Sequence, residues 1–190
     1  LEAADAVARQ YAESIRRLEA EVAHLRRLQD FPSAPGRSGI RAEIIGFAPA
    51  ESRITLSAGR RQGVVPGLAV MVPEGLLAVV QTVDAHRSQA MLTTNPSLRL
   101  SVVDISRNPS PAGLLQGLDT GTLSVTLYDA KATVQVGDRF VTAGFGPYVP
   151  RGILVGRVIQ VEDNPEFGTR RALVVPAATV GGPREVVIVK

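Results

Sequence analysis

Apolar residues in the first thirty positions recur at Leu1, Ala4, Ala8, Tyr11, Ile15, Leu18, Val22 and Leu25, with steps alternating three and four. That is the seam of a heptad repeat, and residues 1–29 hold no Gly or Pro to break it. Leu1, Ala8, Ile15 and Val22 take one seam position; Ala4, Tyr11, Leu18 and Leu25 take the other. β-Branched residues at the first and Leu at the second, as in the C-terminal half, favour a parallel two-stranded coiled coil. Glu21 and Arg26 flank the seam where they can pair across such a dimer. The stripe covers about two positions in seven, narrower than a helix lying on its own domain usually shows. The helix predicted over residues 1–30 is roughly 40 Å long at ~1.5 Å per residue.

The period then changes. Asp30 to Gly39 reads DFPSAPGRSG, and its prolines and glycines end the helix in a linker over 31–39. Beyond it, short β-branched runs alternate with Gly, Pro, Asn and Asp, the spacing of an all-β sandwich or barrel. Strands are predicted over 41–48, 53–56, 69–72, 77–83, 89–93, 98–105, 113–116, 123–128, 139–142, 155–160, 171–175 and 185–189. The plainest alternation puts Leu123, Val125 and Leu127 inward and Ser124, Thr126 and Tyr128 outward, which suits a small barrel. Residues 63–83 and 134–161 echo one another: Gly turn, apolar strand, glycine-containing loop, then a strand ending in Val. Ala78 answers Gly156 and Val83 answers Val161, with one residue of slippage. The expected fold is all-β with an N-terminal α-helical coiled coil and two small β-barrels in tandem. The first barrel is assigned to 40–112 and the second to 113–190, with the option that the last strand returns to the first.

Composition adds exclusions. There is no cysteine among the 190 residues, which removes disulfides and thiol chemistry. The net charge of +3 comes almost wholly from Arg, Lys131 and Lys190 being the only lysines. The arginines are scattered without interleaved aromatics, which argues against a nucleic-acid surface. No apolar run reaches the ~20 residues that span a bilayer. The chain opens inside a helical pattern at Leu1 rather than Met, which suggests a membrane anchor upstream.

Enzymatic readings fare poorly. Chymotrypsin-like proteases also use two barrels, but their mechanism needs Ser, His and Asp together. His24 and His86 are the only histidines, and Gly137-Asp138-Arg139 carries Arg where such a nucleophile belongs. His24 reads as a solvated helix residue and His86 as a polar turn residue. No Cys or His spacing suits zinc, and no phosphate-binding loop occurs. Glu162, Asp163 and Glu166 read as a solvated loop rather than a glycosidase pair. Asp138 is expected to stabilise its own turn. No catalytic, metal or cofactor-binding residues are expected. The segment 144–152 carries Phe145 and Tyr148, two of few aromatics. The two rings fit either a partner-binding loop or plugs for a barrel end.

Particular motifs then point to a family. Val136 to Gly144 (VGDRFVTAG), Pro150 to Val158 (PRGILVGRV), Gly63 to Val70 (GVVPGLAV) and Gly113 to Gly117 (GLLQG) resemble segments of the rod shape-determining protein MreC family. With the helix–linker–β order, the resemblance covers essentially the whole chain. Three positions depart: Ala78 in the GLLAVV segment, Ala143 where Ser is usual, and Pro147 where Gly is usual. The resemblance implies a non-catalytic scaffold of the bacterial cell-elongation machinery that maintains rod shape and organises peptidoglycan synthesis. It implies a homodimer on the periplasmic side of the cytoplasmic membrane, single-pass anchored in full length, with further self-assembly in some members. It implies contacts with the elongation transpeptidase (a penicillin-binding protein), with MreD and indirectly with MreB, and no cofactor. A periplasmic adaptor of a transport or efflux system is the alternative.

Overall fold

The computed structural model describes residues 39–164, 168–181 and 184–189, and, in the N-terminal segment, Glu13, Ile15 and Arg16. The chain divides into two compact units, Leu1–Gly36 and Arg37–Lys190. Glu13, Ile15 and Arg16 are helical and exposed. The other seam positions, Leu1, Ala4, Ala8, Tyr11, Leu18, Val22 and Leu25, and with them the expected coiled coil, lie outside the described residues.

The second unit holds twelve described strands. They are β1 (Gly39–Ala48), β2 (Arg53–Leu56), β3 (Ala69–Val72), β4 (Gly75–Val83), β5 (Ser88–Leu92), β6 (Arg99–Asp104), β7 (Ala112–Gly117), β8 (Leu123–Leu127), β9 (Arg139–Thr142), β10 (Leu154–Asn164), β11 (Thr169–Pro176) and β12 (Glu185–Val189). Strands β2, β3, β9 and β12 have the bounds that the alternation predicts. β10 runs further than predicted, because its ladder with β11 continues to the pair Asn164↔Thr169.

Two closed antiparallel barrels of six strands result: β1-β12-β3-β4-β5-β2 and β10-β11-β8-β7-β6-β9. Closure leaves neither sheet with an unpaired edge, the feature that invites unwanted strand pairing. Read around the rings, the two orders coincide. β7, β8, β9, β10 and β11 take the places of β1, β2, β3, β4 and β5, and β6 takes the place of β12. The predicted echo is therefore the β3–β4 pair against β9–β10. Ala78 pairs with Val70 on one side and Leu92 on the other, as Gly156 pairs with Phe140 and Pro176. Both β4 and β10 carry register shifts against each of their neighbours.

The expected boundary at 112/113 is corrected by this topology. β6 pairs with β7 and β9, so the second barrel begins at Arg99 and the break falls between Leu92 and Arg99. β12 closes the first barrel, between β1 and β3. Local patterning does not distinguish these sixth strands, since each presents one apolar face that fits either ring.

Each barrel has its own aliphatic interior. The first is filled by Ile54, Leu56, Val64, Val70, Leu77, Val80, Ala90, Val186 and Ile188. In the second, Leu115, Val125 and Ala172 are register partners in turn, as are Leu123, Val174 and Val158, and all are buried. Burying one such side chain contributes roughly 1.5–3 kcal/mol. β3 and the start of β4 are buried at every position instead of alternating. At Gly75 a Cβ would fall 2.3 Å from the Leu154 carbonyl oxygen of the second barrel and 3.3 Å from Ala177. The barrels meet there, backbone against backbone.

Candidate docking site

The segment between β9 and β10 is an exposed loop drawn in at its neck. Thr142, fully buried at the end of β9, donates its hydroxyl to the Pro150 carbonyl and accepts from the Ile153 backbone N–H at 3.0 Å. The Gly152 N–H donates to the Thr142 carbonyl at 2.9 Å. Gly144 has φ +74, and a Cβ there would meet Arg151 backbone N at 2.9 Å and its Cβ at 2.7 Å. A left-handed backbone without room for a side chain calls for glycine. Pro147, the departure from the family pattern, has no positive φ; the left-handed positions of this loop are Gly144 and Gly152.

The two aromatics on this loop part company. Phe145 is 77 % exposed, the most exposed large apolar residue described. Tyr148 packs its ring against Gly67 of the first barrel, where φ is +95 and a Cβ would sit 2.9 Å from Tyr148 Cδ2. Neither ring is among the buried core residues. Tyr148 bridges the joint between barrels at its partly exposed ring, while Phe145 stands out from the surface.

A second apolar surface lies at the mouth of the first barrel, which sequence reading missed. Phe47 is 51 % exposed although it stands opposite buried Ile54 in the β1–β2 ladder. It overhangs a cleft of about 380 Å³ lined also by Leu77, Leu92, Ala178 and Val180. The hint in the sequence was weak: a lone Phe at a strand end reads the same whether it seals a barrel or borders its opening.

The polar groups singled out from the sequence are dispersed. His86 is exposed in the β4–β5 turn, and Ser88, two residues on, is buried and donates its hydroxyl to the Ala58 carbonyl at 2.8 Å. Glu162 is exposed; Asp163 is held below the usual carboxylate range by its hydrogen bonds from Arg170. Glu166 and His24 lie outside the described residues. Among the described residues there is no cluster of three or more His, Cys, Asp or Glu able to hold a metal, and no helix long and apolar enough to cross a membrane.

Asp138 does stabilise its turn, accepting the Gln135 N–H at 2.8 Å. It also accepts two hydrogen bonds from Arg107, Nε at 2.8 Å and Nη2 at 3.1 Å. Burial pushes the Asp138 carboxyl up, but the Arg107 and Gln135 hydrogen bonds and the Arg107 charge outweigh it and hold the group below its usual value. The partner Arg107 is thirty-one residues away and had no signal in the sequence.

The model of the family described as rod shape-determining protein MreC, barrel core, matches residues 46–190. The chain belongs to the MreC family. Among relatives, the cell shape-determining protein MreC of Listeria monocytogenes is 26% identical over 94% of this chain and 65% of its own length. That of Cereibacter sphaeroides is 32% identical over 61% of this chain and 38% of its own. The chain thus spans less than two thirds of the length of these curated relatives. A solved MreC from Listeria monocytogenes superposes with a TM-score of 0.75 at 25% identity, covering 94% of this chain and 91% of that one. The major periplasmic domain of the cell shape-determining filament MreC gives 0.73 at 23%, covering 80% and 95%. MreC from Helicobacter pylori, solved in complex with a penicillin-binding protein, PBP2, gives 0.65 at 15%, covering 80% and 96%, a likeness of fold. Tandem six-stranded barrels are thus the shared architecture of the MreC family, a family of cell shape-determining proteins. Membership displaces the reading as a transport adaptor.

Proposed function

We propose that this chain is a non-catalytic scaffold of the bacterial cell-elongation machinery, working by contact and organising peptidoglycan synthesis at the outer face of the cytoplasmic membrane. The observation that carries the reading is the family match across the tandem barrels. The Helicobacter pylori relative's complex with PBP2 supports a penicillin-binding transpeptidase as one partner. MreD, and MreB indirectly, complete the partners expected. Periplasmic placement draws support from the relative whose periplasmic domain shares this fold. Residues 1–30 are proposed to hold two copies in parallel through Leu1, Ala4, Ala8, Tyr11, Ile15, Leu18, Val22 and Leu25.

On the barrels, Phe145 is the proposed anchor, and Tyr148 fixes the loop that presents it. An exposed aromatic on a loop pinned at its neck loses little conformational freedom when a partner covers it, which is how binding anchors gain affinity. The test is capture of the elongation transpeptidase's extracytoplasmic domain by the chain and by Phe145→Ala. Phe145→Ala is expected to weaken capture by about tenfold or more, the ~1.4 kcal/mol or greater of an anchor residue, with unchanged melting. Equal capture by both removes Phe145 from the site; no capture by either removes the transpeptidase from the list of partners. Sedimentation of the chain with and without residues 1–30 tests the dimer: a species that halves its mass beyond the lost residues is expected.

A further inference from the structure

One buried titratable group has no place in the docking reading. Asp104, the last residue of β6, has no solvent-exposed surface. Its register partner is Phe140, the largest fully buried side chain, so it faces the interior of the second barrel. One carboxyl oxygen, Oδ1, accepts the Ser106 N–H at 2.7 Å, while the other, Oδ2, has no hydrogen-bond partner. A buried polar atom left without a partner costs about 1–3 kcal/mol, more when charged. Asp138, two residues before Phe140 and likewise buried, comes next along the same face, where the Ile105 N–H donates to the Arg139 carbonyl at 3.0 Å and the Arg139 N–H donates to Ser106 Oγ at 3.0 Å; its carboxyl already accepts from Arg107 and Gln135. Two carboxylates side by side are both acceptors; a proton on one supplies the missing donor.

We propose that Asp104 and Asp138 hold one proton between them and, with Arg107, form a proton-operated latch that fastens residues 105–111 to the turn at 134–138. Arg107 ties the two segments from its side, reaching Asp138 and, at 2.6 Å, Gln135 Oε1. The shared proton ties them from the β6 side. The charged groups facing Asp104 are Asp138 on the turn and Arg107 on the loop. β9 sets Phe140 opposite it and Pro111 supplies only a carbonyl, which accepts the Asp104 N–H at 2.8 Å. The latched segments carry Ile105 and Val136, 49 % and 67 % exposed, so the latch governs how two apolar side chains are presented at this end of the barrel.

The pH dependence has a definite sign. Burial, aided by the Asp138 charge and opposed by the Ser106 N–H, raises the Asp104 carboxyl above its ordinary value of 3.8. Its contribution is full below 3.8 and is lost as pH rises through the folded-state value. Asp138 is lowered, so its contribution is present above 3.8 and lost as pH falls through its own folded-state value. Between those two limits the pair holds one proton and one charge against one guanidinium, and the latch is tightest. Above the upper limit, two carboxylates compete for Arg107 and Oδ2 is again unpartnered.

The test follows the aspartate carboxyl carbons by NMR and the amide exchange of residues 105–111, corrected for intrinsic rates, from acid to neutral pH. Asp104 is expected to titrate above 3.8 and Asp138 below it, with loop protection falling as Asp104 loses its proton, by about tenfold per unit of separation. Asp104→Asn, whose amide donates to Asp138 at every pH, is expected to abolish that fall; Asp138→Asn is expected to lower protection throughout. A wild-type Asp104 titrating at or below 3.8, or an exchange profile identical in wild type and Asp104→Asn, overturns the latch. Should Asp104→Asn fail to fold, the wild-type carboxyl titration decides alone.

Discussion

Thr142 shows how much one side chain holds here. Its hydroxyl donates to the Pro150 carbonyl and accepts from the Ile153 N–H, at a position with no solvent. Thr142→Val keeps the shape and leaves both groups unsatisfied, so we expect a loss of about 1–3 kcal/mol in urea unfolding and a Gly144–Arg151 loop more open to proteolysis. Arg107 makes a different prediction. It keeps Asp138 below its usual value, and the stability this gives exists above the ordinary aspartate range and vanishes once Asp138 is protonated. Melting temperatures of Arg107→Ala and wild type should therefore differ at neutral pH and converge in acid, below the folded-state value of Asp138. Curves that stay parallel to the acid end would assign Arg107 a packing role instead. Thr142 sits in the VGDRFVTAG motif and drew notice by sequence; Arg107 did not, because a hydrogen bond across thirty-one residues leaves no periodic trace.

Strands were legible where one face is wet. β2 buries Ile54 and Leu56 and half-exposes Arg53 and Thr55, so its bounds could be read directly. In β8, Leu123, Val125 and Leu127 are inward as expected, but Ser124 is buried too, covered by structure that alternation does not register. β10 carries a close contact: a Cβ on Gly156 would fall 2.2 Å from the Val175 carbonyl and 2.7 Å from a Val174 methyl. Gly156→Ala must push β11 away, and the expected cost is about 1–3 kcal/mol or more, read by thermal melting. Ala78, the equivalent residue of β4, tolerates its methyl group in the first barrel's core. The two repeats have thus diverged at the same place in the ring.

At the scale of the molecule, the closing strands decide what can fold alone. The second barrel, β6 to β11, is continuous in sequence from Arg99 to Pro176. The first needs β12 from the far end of the chain, inserted between β1 and β3. A fragment of residues 97–181 is therefore expected to unfold cooperatively by circular dichroism. A fragment of residues 37–97 is expected to stay unfolded until a peptide of residues 182–190 is added, since without β12 it exposes two strand edges and loses Val186 and Ile188 from its core. Independent folding of residues 37–97 would show that the five-stranded remainder closes by itself.

The twelve strands of the described residues were fixed by local chemistry, because side-chain alternation, β-branching and Gly/Pro breaks act over neighbouring residues. The motifs around Gly137 and Gly152 carried the family for the same reason: tight turns need particular residues in particular places. Which ring a strand joins, that Tyr148 seats on Gly67, and that Arg107 reaches Asp138 were decided only in three dimensions. Those outcomes depend on loop closure and on contacts between residues far apart in the chain, and a one-dimensional pattern holds no record of either.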